Sequence, residues 1–298
     1  MEPDIITVGL DGSPESLAAA QWAADEADRR QAVLRLLHAW ILLAAEAADT
    51  PPERDANAAA RQIVRQAVDE VRERRPHLQI IEDLVGSEAE PALVRAAGES
   101  LMVVLGSRAL GTWESYVLGD VSLNVVGGAK GPVVLVRAPG RAKTPRHPSG
   151  REAPPAPQPR VVVGVSLNGP SDRMLTFAFD AAASRGLPLQ AVHGRPLPVQ
   201  AYTPWGIDPD AAKELTKEAD IELRDALRPW CERFPGVLVQ ETVLPESPTR
   251  ALVQTVFGAE LLVVGRRLHR PLLAPRVGPV AHAAIHHVTC PVAVIPHD

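Results

Sequence analysis

The sequence predicts an α/β fold: two tandem copies of a five-stranded parallel sheet covered by helices on both faces. Two observations carry this. Short apolar runs alternate with longer amphipathic segments, and the whole series is written twice. Ile5-Ile6-Thr7-Val8-Gly9 is matched by Val161-Val162-Val163-Gly164, and Leu36-Leu37-His38 by Ala191-Val192-His193, both 155 residues on. Leu101 to Gly106 is matched by Glu260 to Gly265, and Gly131 to Val136 by Cys290 to Ile295, both at 159. Constant offsets with one four-residue indel indicate duplication of a unit of about 140 residues, well beyond solenoid periods of roughly 20–50 residues, so each copy is expected to be a domain.

Each element has a local reason. Residues 4–9 are a short apolar run, as in a strand buried on both faces. Ser13-Pro14-Glu15-Ser16 supplies a helix start: an N-cap serine, proline in the first turn, and a carboxylate near the positive helix end. Leu17, Ala20, Ala24 and Ala27 follow at helical spacing. Strands are expected at 33–38, 79–85, 101–106 and 133–137, with helices at 53–75, 88–99 and from about Gly119. The second copy predicts strands at 161–166, 188–193, 237–244, 260–265 and 291–296, and helices at 170–185, 209–233, 248–258 and 279–288. Domains are expected at 1–137 and 161–298. Between them, 138–160 holds 7 of the 29 prolines and five basic side chains against one acidic, the composition of an exposed, extended linker.

Composition narrows the function classes. The chain has 298 residues, 46% hydrophobic, with a formal charge of −5, so it lacks the overall basic footprint of a duplex-DNA binder. No apolar run approaches the roughly 20 residues of a spanning helix, and the acidic start Met1-Glu2-Pro3-Asp4 is unlike a signal peptide. Two cysteines, Cys231 and Cys290, cannot build a disulfide framework, and a reduced, cytoplasmic protein is expected. Cys290, at a strand start, reads as an inert packing residue. No nucleophile elbow, HExxH or paired-carboxylate motif occurs, so no catalytic residue and no metal site is expected; His282 and His286, at i,i+4, read as surface or packing residues.

Ligands of parallel sheets bind beyond the carboxyl ends of strands, where strand order reverses. Val8-Gly9-Leu10-Asp11-Gly12-Ser13 is neither a dinucleotide fingerprint nor a Walker A loop. Asp11 either receives a hydrogen bond from a ligand or fixes the helix start. The segment Gly106 to Ser122 runs from a strand end to a new helix N-terminus, the ingredients of a phosphate cradle. Trp113 and Tyr116 within it read as cover for a site or for the sheet edge.

In these residues the chain resembles the universal stress protein family. Val8 to Pro14, Trp22-Ala23 and Leu36-Leu37-His38-Ala39-Trp40 look like its N-terminal half; Gly106-Ser107-Arg108, Gly119 to Ser122 and Gly131 to Val136 look like its C-terminal half. The resemblance covers both copies and implies a strand order of 3-2-1-4-5. ATP-binding members carry G-x2-G-x9-G-[ST]. The nucleotide contacts so implied are Gly9, Leu10, Asp11, Ser13, Ala39, Leu105, Gly106, Arg108, Ala109, Gly119, Asp120, Val121 and Ser122, with ATP, and Mg2+ bridging its phosphates, as the ligand. The spacing is kept, but Ala109 replaces the second glycine and Asp120 the terminal Ser/Thr. A Cβ where φ is positive is strained, and a carboxylate repels a triphosphate.

The second copy departs further. Ser166-Leu167-Asn168-Gly169 has no carboxylate, Leu268 stands for a glycine, and Pro279 lacks an amide hydrogen. The arginines between Arg266 and Arg276 read as a solvated surface, with a charge-based anion site as the alternative. Binding of ATP is therefore expected in the first copy and not in the second. The resemblance also implies pairing through the last strand, here as an intramolecular pseudo-dimer able to form a homodimer, with a protein partner. The expected role is a stress-response regulator, or, alternatively, a nucleotide-free scaffold.

Overall fold

The computed structural model describes residues 3–40, 52–107, 120–138, 158–169, 171–196, 202–203, 206–207, 209–269 and 276–298. The chain divides into two compact units at residues 143 and 144.

The first unit contains β1 (Ile5–Gly9), α1 (Pro14–Arg30), β2 (Val33–Ala39), α2 (Pro52–Arg74), β3 (Ile80–Val85), α3 (Ala89–Glu99), β4 (Met102–Ser107), α4 (Asp120–Gly128) and β5 (Val133–Arg137). Its strands run in the order β3-β2-β1-β4-β5, all parallel. The β1 register, Gly9 opposite Leu37 on one side and Leu105 on the other, places the reversal of strand order between β1 and β4. Valine, leucine and isoleucine fill the central strands: Ile6, Val8, Leu34, Leu36, Met102, Val103 and Val104 are fully buried. The outer β3 leaves Ile81 and Leu84 partly exposed.

Alpha1 follows its sequence signals. Ser13 caps it, accepting from the Ser16 amide, and Pro14 occupies the first turn. Its buried stripe is Ala19, Ala20, Ala23, Ala24 and Ala27, small residues that let it lie close to the sheet. Leu17, expected in that stripe, is only half-buried. The helix ends on Gln31 in the left-handed region at φ 55°, unusual for a side chain with a Cβ. Glu26, 1% exposed, is held by Arg29 at 2.9 Å and Arg30 at 2.5 Å.

The second unit contains β6 (Val161–Gly164), α5 (Asp172–Arg185), β7 (Leu189–Gly194), β8 (Tyr202–Thr203), β9 (Gly206–Ile207), α6 (Pro209–Arg233), β10 (Val239–Leu244), α7 (Pro248–Thr255), β11 (Leu261–Arg267), α8 (Pro279–His287) and β12 (Val292–His297). Its main strands are again parallel, ordered β10-β7-β6-β11-β12. The antiparallel pair β8-β9 was not legible in the sequence pattern. Alpha5 starts at Asp172 after an N-cap, Ser171, that makes no side-chain cap bond, and it ends on Gly186 at φ 63°.

Candidate functional site: a cleft at the strand tips of the first unit

The loop after β1 is tied down at both ends. Leu10 donates its N–H to the Leu37 carbonyl at 2.8 Å, and His38 Nδ1 lies 2.8 Å from the Leu10 carbonyl oxygen, prolonging the ladder beyond the strand. Gly12 then adopts φ +80°, which glycine alone takes without strain. Asp11 Oδ1 accepts from the Ser13 amide at 2.9 Å and from Ser13 Oγ at 2.5 Å, so the carboxylate does fix the turn into α1.

The next strand tip is shaped by Gly106. A Cβ there would meet the Glu15 backbone carbon at 2.5 Å and the Ser16 nitrogen at 2.6 Å, so the start of α1 rests directly on the β4 backbone. A helix N-terminus is thereby brought beside the strand ends, with its amides and its positive dipole end.

These pieces surround a cavity of about 200 Å³. It is lined by Gly9, Leu10, Asp11 and Ser13 from the first loop, Glu15 and Ser16 from α1, Leu37 and Ala39 from β2, Ala89 and Leu93 from α3, Leu105, Gly106 and Ser107 from β4, and Val121 and Ser122 from α4. Nine of the residues named from the sequence meet here: Gly9, Leu10, Asp11, Ser13, Ala39, Leu105, Gly106, Val121 and Ser122. Arg108, Ala109 and Gly119 lie outside the described residues, as do Trp113 and Tyr116; Asp120 is described only as the first residue of α4. The sequence reading missed Glu15, Ser16, Leu37, Ala89, Leu93 and Ser107 as lining residues. Ser107 had a signal: it sits two residues after Leu105 on a strand, hence on the same face.

The apolar part of the lining, Leu37, Leu93 and Leu105, suits the flat face of a base, and the polar part, Asp11, Ser13, Ser107 and Ser122, suits hydroxyl and oxyanion contacts. Among the described lining residues there is no lysine or arginine, and two are carboxylates, Asp11 and Glu15.

The second unit repeats the anchor but not the chemistry. Val165 donates to the Val192 carbonyl at 2.8 Å, and His193 Nδ1 lies 2.9 Å from the Val165 oxygen, mirroring Leu10, Leu37 and His38. Ser166, Leu167 and Asn168 then stand in place of Asp11 and its turn. At the tip of β11, Arg266 holds the position of Ser107 and is 5% exposed. It is therefore not the surface arginine expected from the sequence, whereas Arg267 and His269 are exposed. Gly265, the counterpart of Gly106, faces the His297 ring and Met174 instead of a helix backbone.

Other candidates lie elsewhere. The His282 and His286 rings lie with centroids 4.3 Å apart and planes tilted by 47°, and among the described residues no group of three or more His, Cys, Asp or Glu is placed to hold a metal ion. Cys290 is half-buried, not packed away as its strand-start position indicated, because β12 begins two residues later. Burial, and secondarily the Glu241 and Glu232 carboxylates, push the Cys231 thiol up, opposed by a backbone hydrogen bond. Among the described residues no helix is long and apolar enough to cross a membrane.

Comparison with known proteins agrees with this architecture. The sequence model described as "Universal stress protein family" matches residues 3–137 and again 159–296. A universal stress protein of Mycobacterium tuberculosis is 33% identical over 97% of this chain and 96% of its own. A crystal structure of a universal stress protein from Archaeoglobus fulgidus aligns over 100% of both chains at 16% identity, TM-score 0.70, which bears on the fold alone. A structure of the Archaeoglobus fulgidus universal stress protein in complex with dAMP covers 45% of this chain at 21% identity, TM-score 0.36. With the family unit present twice along its length, the chain belongs to the universal stress protein family.

Proposed function

We propose that the chain is a stress-response regulator whose first copy binds an adenine nucleotide, with occupancy read by a protein partner. One observation carries the reading: the strand-tip cleft gathers nine of the residues that the family resemblance implies as nucleotide contacts, on an apolar floor beside the first turns of α1 and α4. ATP is the form the resemblance implies, with Mg2+ bridging its phosphates beside Asp120. No catalysis is assigned, and a cytoplasmic setting accords with two free cysteines.

A nucleotide-free scaffold is the second reading, favoured by Ala109 and Asp120, which break the ATP-binding pattern. Native mass spectrometry of freshly purified full-length protein separates the two. The first reading expects an adenine nucleotide to co-purify and to be lost in Asp11→Ala; bare protein that also refuses added adenine nucleotides supports the scaffold. The doubled family match also supports an intramolecular pseudo-dimer of the two copies. Small-angle scattering tests it, two independently tumbling lobes being the contrary result.

A further inference from the structure

The outermost strands of the two units, β3 and β10, are finished differently. Ile80 pairs with Leu34 and Val239 with Leu189, so the two strands correspond residue by residue. In β10 the place of Ile81 is taken by Gln240, Glu241 is paired with Arg224 at 3.1 Å, and Thr242 Oγ1 accepts from Gln190 Nε2 at 3.0 Å. Its aliphatic side chains, Val239, Val243 and Leu244, are half-buried, and the exposed Leu238 lies before the strand. In β3, by contrast, Ile81 and Leu84 are 43% and 39% exposed. Between them Glu82 and Asp83 form no side-chain hydrogen bond or ion pair among the described residues.

An outer strand also carries a row of unpaired backbone groups. The ladder to β2 uses the Gln79 carbonyl, which accepts from Leu34 N–H at 2.9 Å, and the Val85 carbonyl, which accepts from Trp40 N–H at 3.0 Å. Backbone groups alternate in direction along a strand, so Ile81 and Asp83 face β2 as well, while Ile80, Glu82 and Leu84 turn theirs outward. No described strand pairs with that outward row. Extended peptides add to such edges through main-chain hydrogen bonds, and their side chains supply the specificity.

The charges choose the partner. Edge carboxylates deter pairing with most strands, whereas exposed aliphatic side chains favour it. A second copy of this chain, paired edge to edge and antiparallel, brings Glu82 and Asp83 against their equivalents, and like charges set opposite each other are destabilising. A basic strand meets no such cost, and it approaches a copy that carries 21 acidic against 13 basic side chains over residues 1–137. We propose that the β3 edge is the docking surface for an extended basic segment of a partner protein, with cationic and aliphatic side chains in alternation, added as a further strand. The proposal takes up the protein partner of the reading above, and it requires no nucleotide in the cleft.

Fluorescence anisotropy of the nucleotide-free full chain with a labelled synthetic peptide of alternating lysine and valine tests this, at physiological and raised salt. Wild type binds the peptide with micromolar affinity that falls as salt rises, and does not bind a version with glutamate in place of lysine. Glu82→Lys weakens binding about tenfold. Glu218→Lys, an equal change of charge on an exposed position of α6, leaves it within about twofold. Leu84→Pro, which removes an outward N–H and an exposed aliphatic group, also weakens binding about tenfold, while its melting temperature shows that the unit remains folded. The proposal is overturned if wild type does not bind the lysine peptide, if Glu218→Lys weakens binding as much as Glu82→Lys, or if folded Leu84→Pro binds as wild type does. Sedimentation in which wild type dimerises and Ile81→Lys is monomeric overturns it too, by giving the edge to a second copy. Because the titration contains no nucleotide, its failure leaves the adenine-nucleotide reading standing, and failure of that reading leaves this result standing.

Discussion

The first and second copies share a backbone plan and differ in what stands at the strand tips. Both anchor the first loop in the same way, by a histidine on the neighbouring strand held to a loop carbonyl: His38 to Leu10 and His193 to Val165. Both place a glycine at the end of the fourth strand, Gly106 and Gly265. Beyond these anchors they part. The first copy has Asp11 in a locked turn, a helix start resting on Gly106, and an unpartnered Ser107 hydroxyl. The second has Leu167 and Asn168, side chains beneath Gly265, and the buried cation Arg266. The two copies thus share their strand order and loop anchors, while the residues at the strand ends differ in chemistry.

The largest expected difference concerns the two glycines. In Gly106→Ala the new methyl group meets backbone atoms of Glu15 and Ser16 at 2.5–2.7 Å, which cannot move without shifting α1. Overpacking of this kind costs about 1–3 kcal/mol and more when nothing yields. In Gly265→Ala the nearest atoms belong to the ends of the His297 and Met174 side chains, which can rotate away. Urea denaturation of the full chain should show a large loss in the first variant and a small one in the second. Equal losses would mean that the two glycines play the same part.

Ligand affinity gives the next contrast. Asp11→Ala is expected to weaken adenine-nucleotide binding about tenfold or more, the scale of a hydrogen bond to a charged group. Asn168→Ala in the second copy leaves it unchanged. Titration of both variants checks this, and sensitivity to Asn168 would contradict the division of roles.

The histidine anchors sharpen the comparison differently. His38→Ala and His193→Ala each deprive a loop carbonyl of its side-chain contact and should cost about 1–3 kcal/mol. Stability falls in both variants, whereas nucleotide affinity falls only in His38→Ala. The smallest effect is expected at the ends of the first helices, where the copies chose different residues for one left-handed position. Gln31→Gly relieves about 1–2 kcal/mol of strain against about 0.5–1 kcal/mol of added chain entropy, a net gain of roughly 0.5–1 kcal/mol. Gly186→Ala, at φ 63°, should lose a similar amount. Thermal melts of the two variants should move in opposite directions.

Much of this architecture could be read directly from the residues because local and global preferences agree. Ser13-Pro14 and Ser247-Pro248 both cap helices, and apolar strands of near-constant spacing alternate with amphipathic helices. Repetition then reinforced each assignment. The features that escaped are those set by tertiary context. Nothing local marks Gln31 for the left-handed region. A long arginine ordinarily reaches solvent, so the burial of Arg266 depends on neighbours the sequence does not name. Ser107 looked like one small residue in a loop motif; its isolation from partners is a property of the packed cleft. The role of His38 was hidden likewise, because its bond crosses from one strand to the loop of another.

The central claim is that ligand chemistry resides in the first copy alone. Hydrogen-exchange mass spectrometry of the full chain with and without AMP tests it most directly. The account expects added protection across residues 10–17 and 102–107 and at the start of α4, with residues 165–175 and 261–267 unchanged. Protection appearing in the second set, or absent from the first despite measured binding, would contradict it.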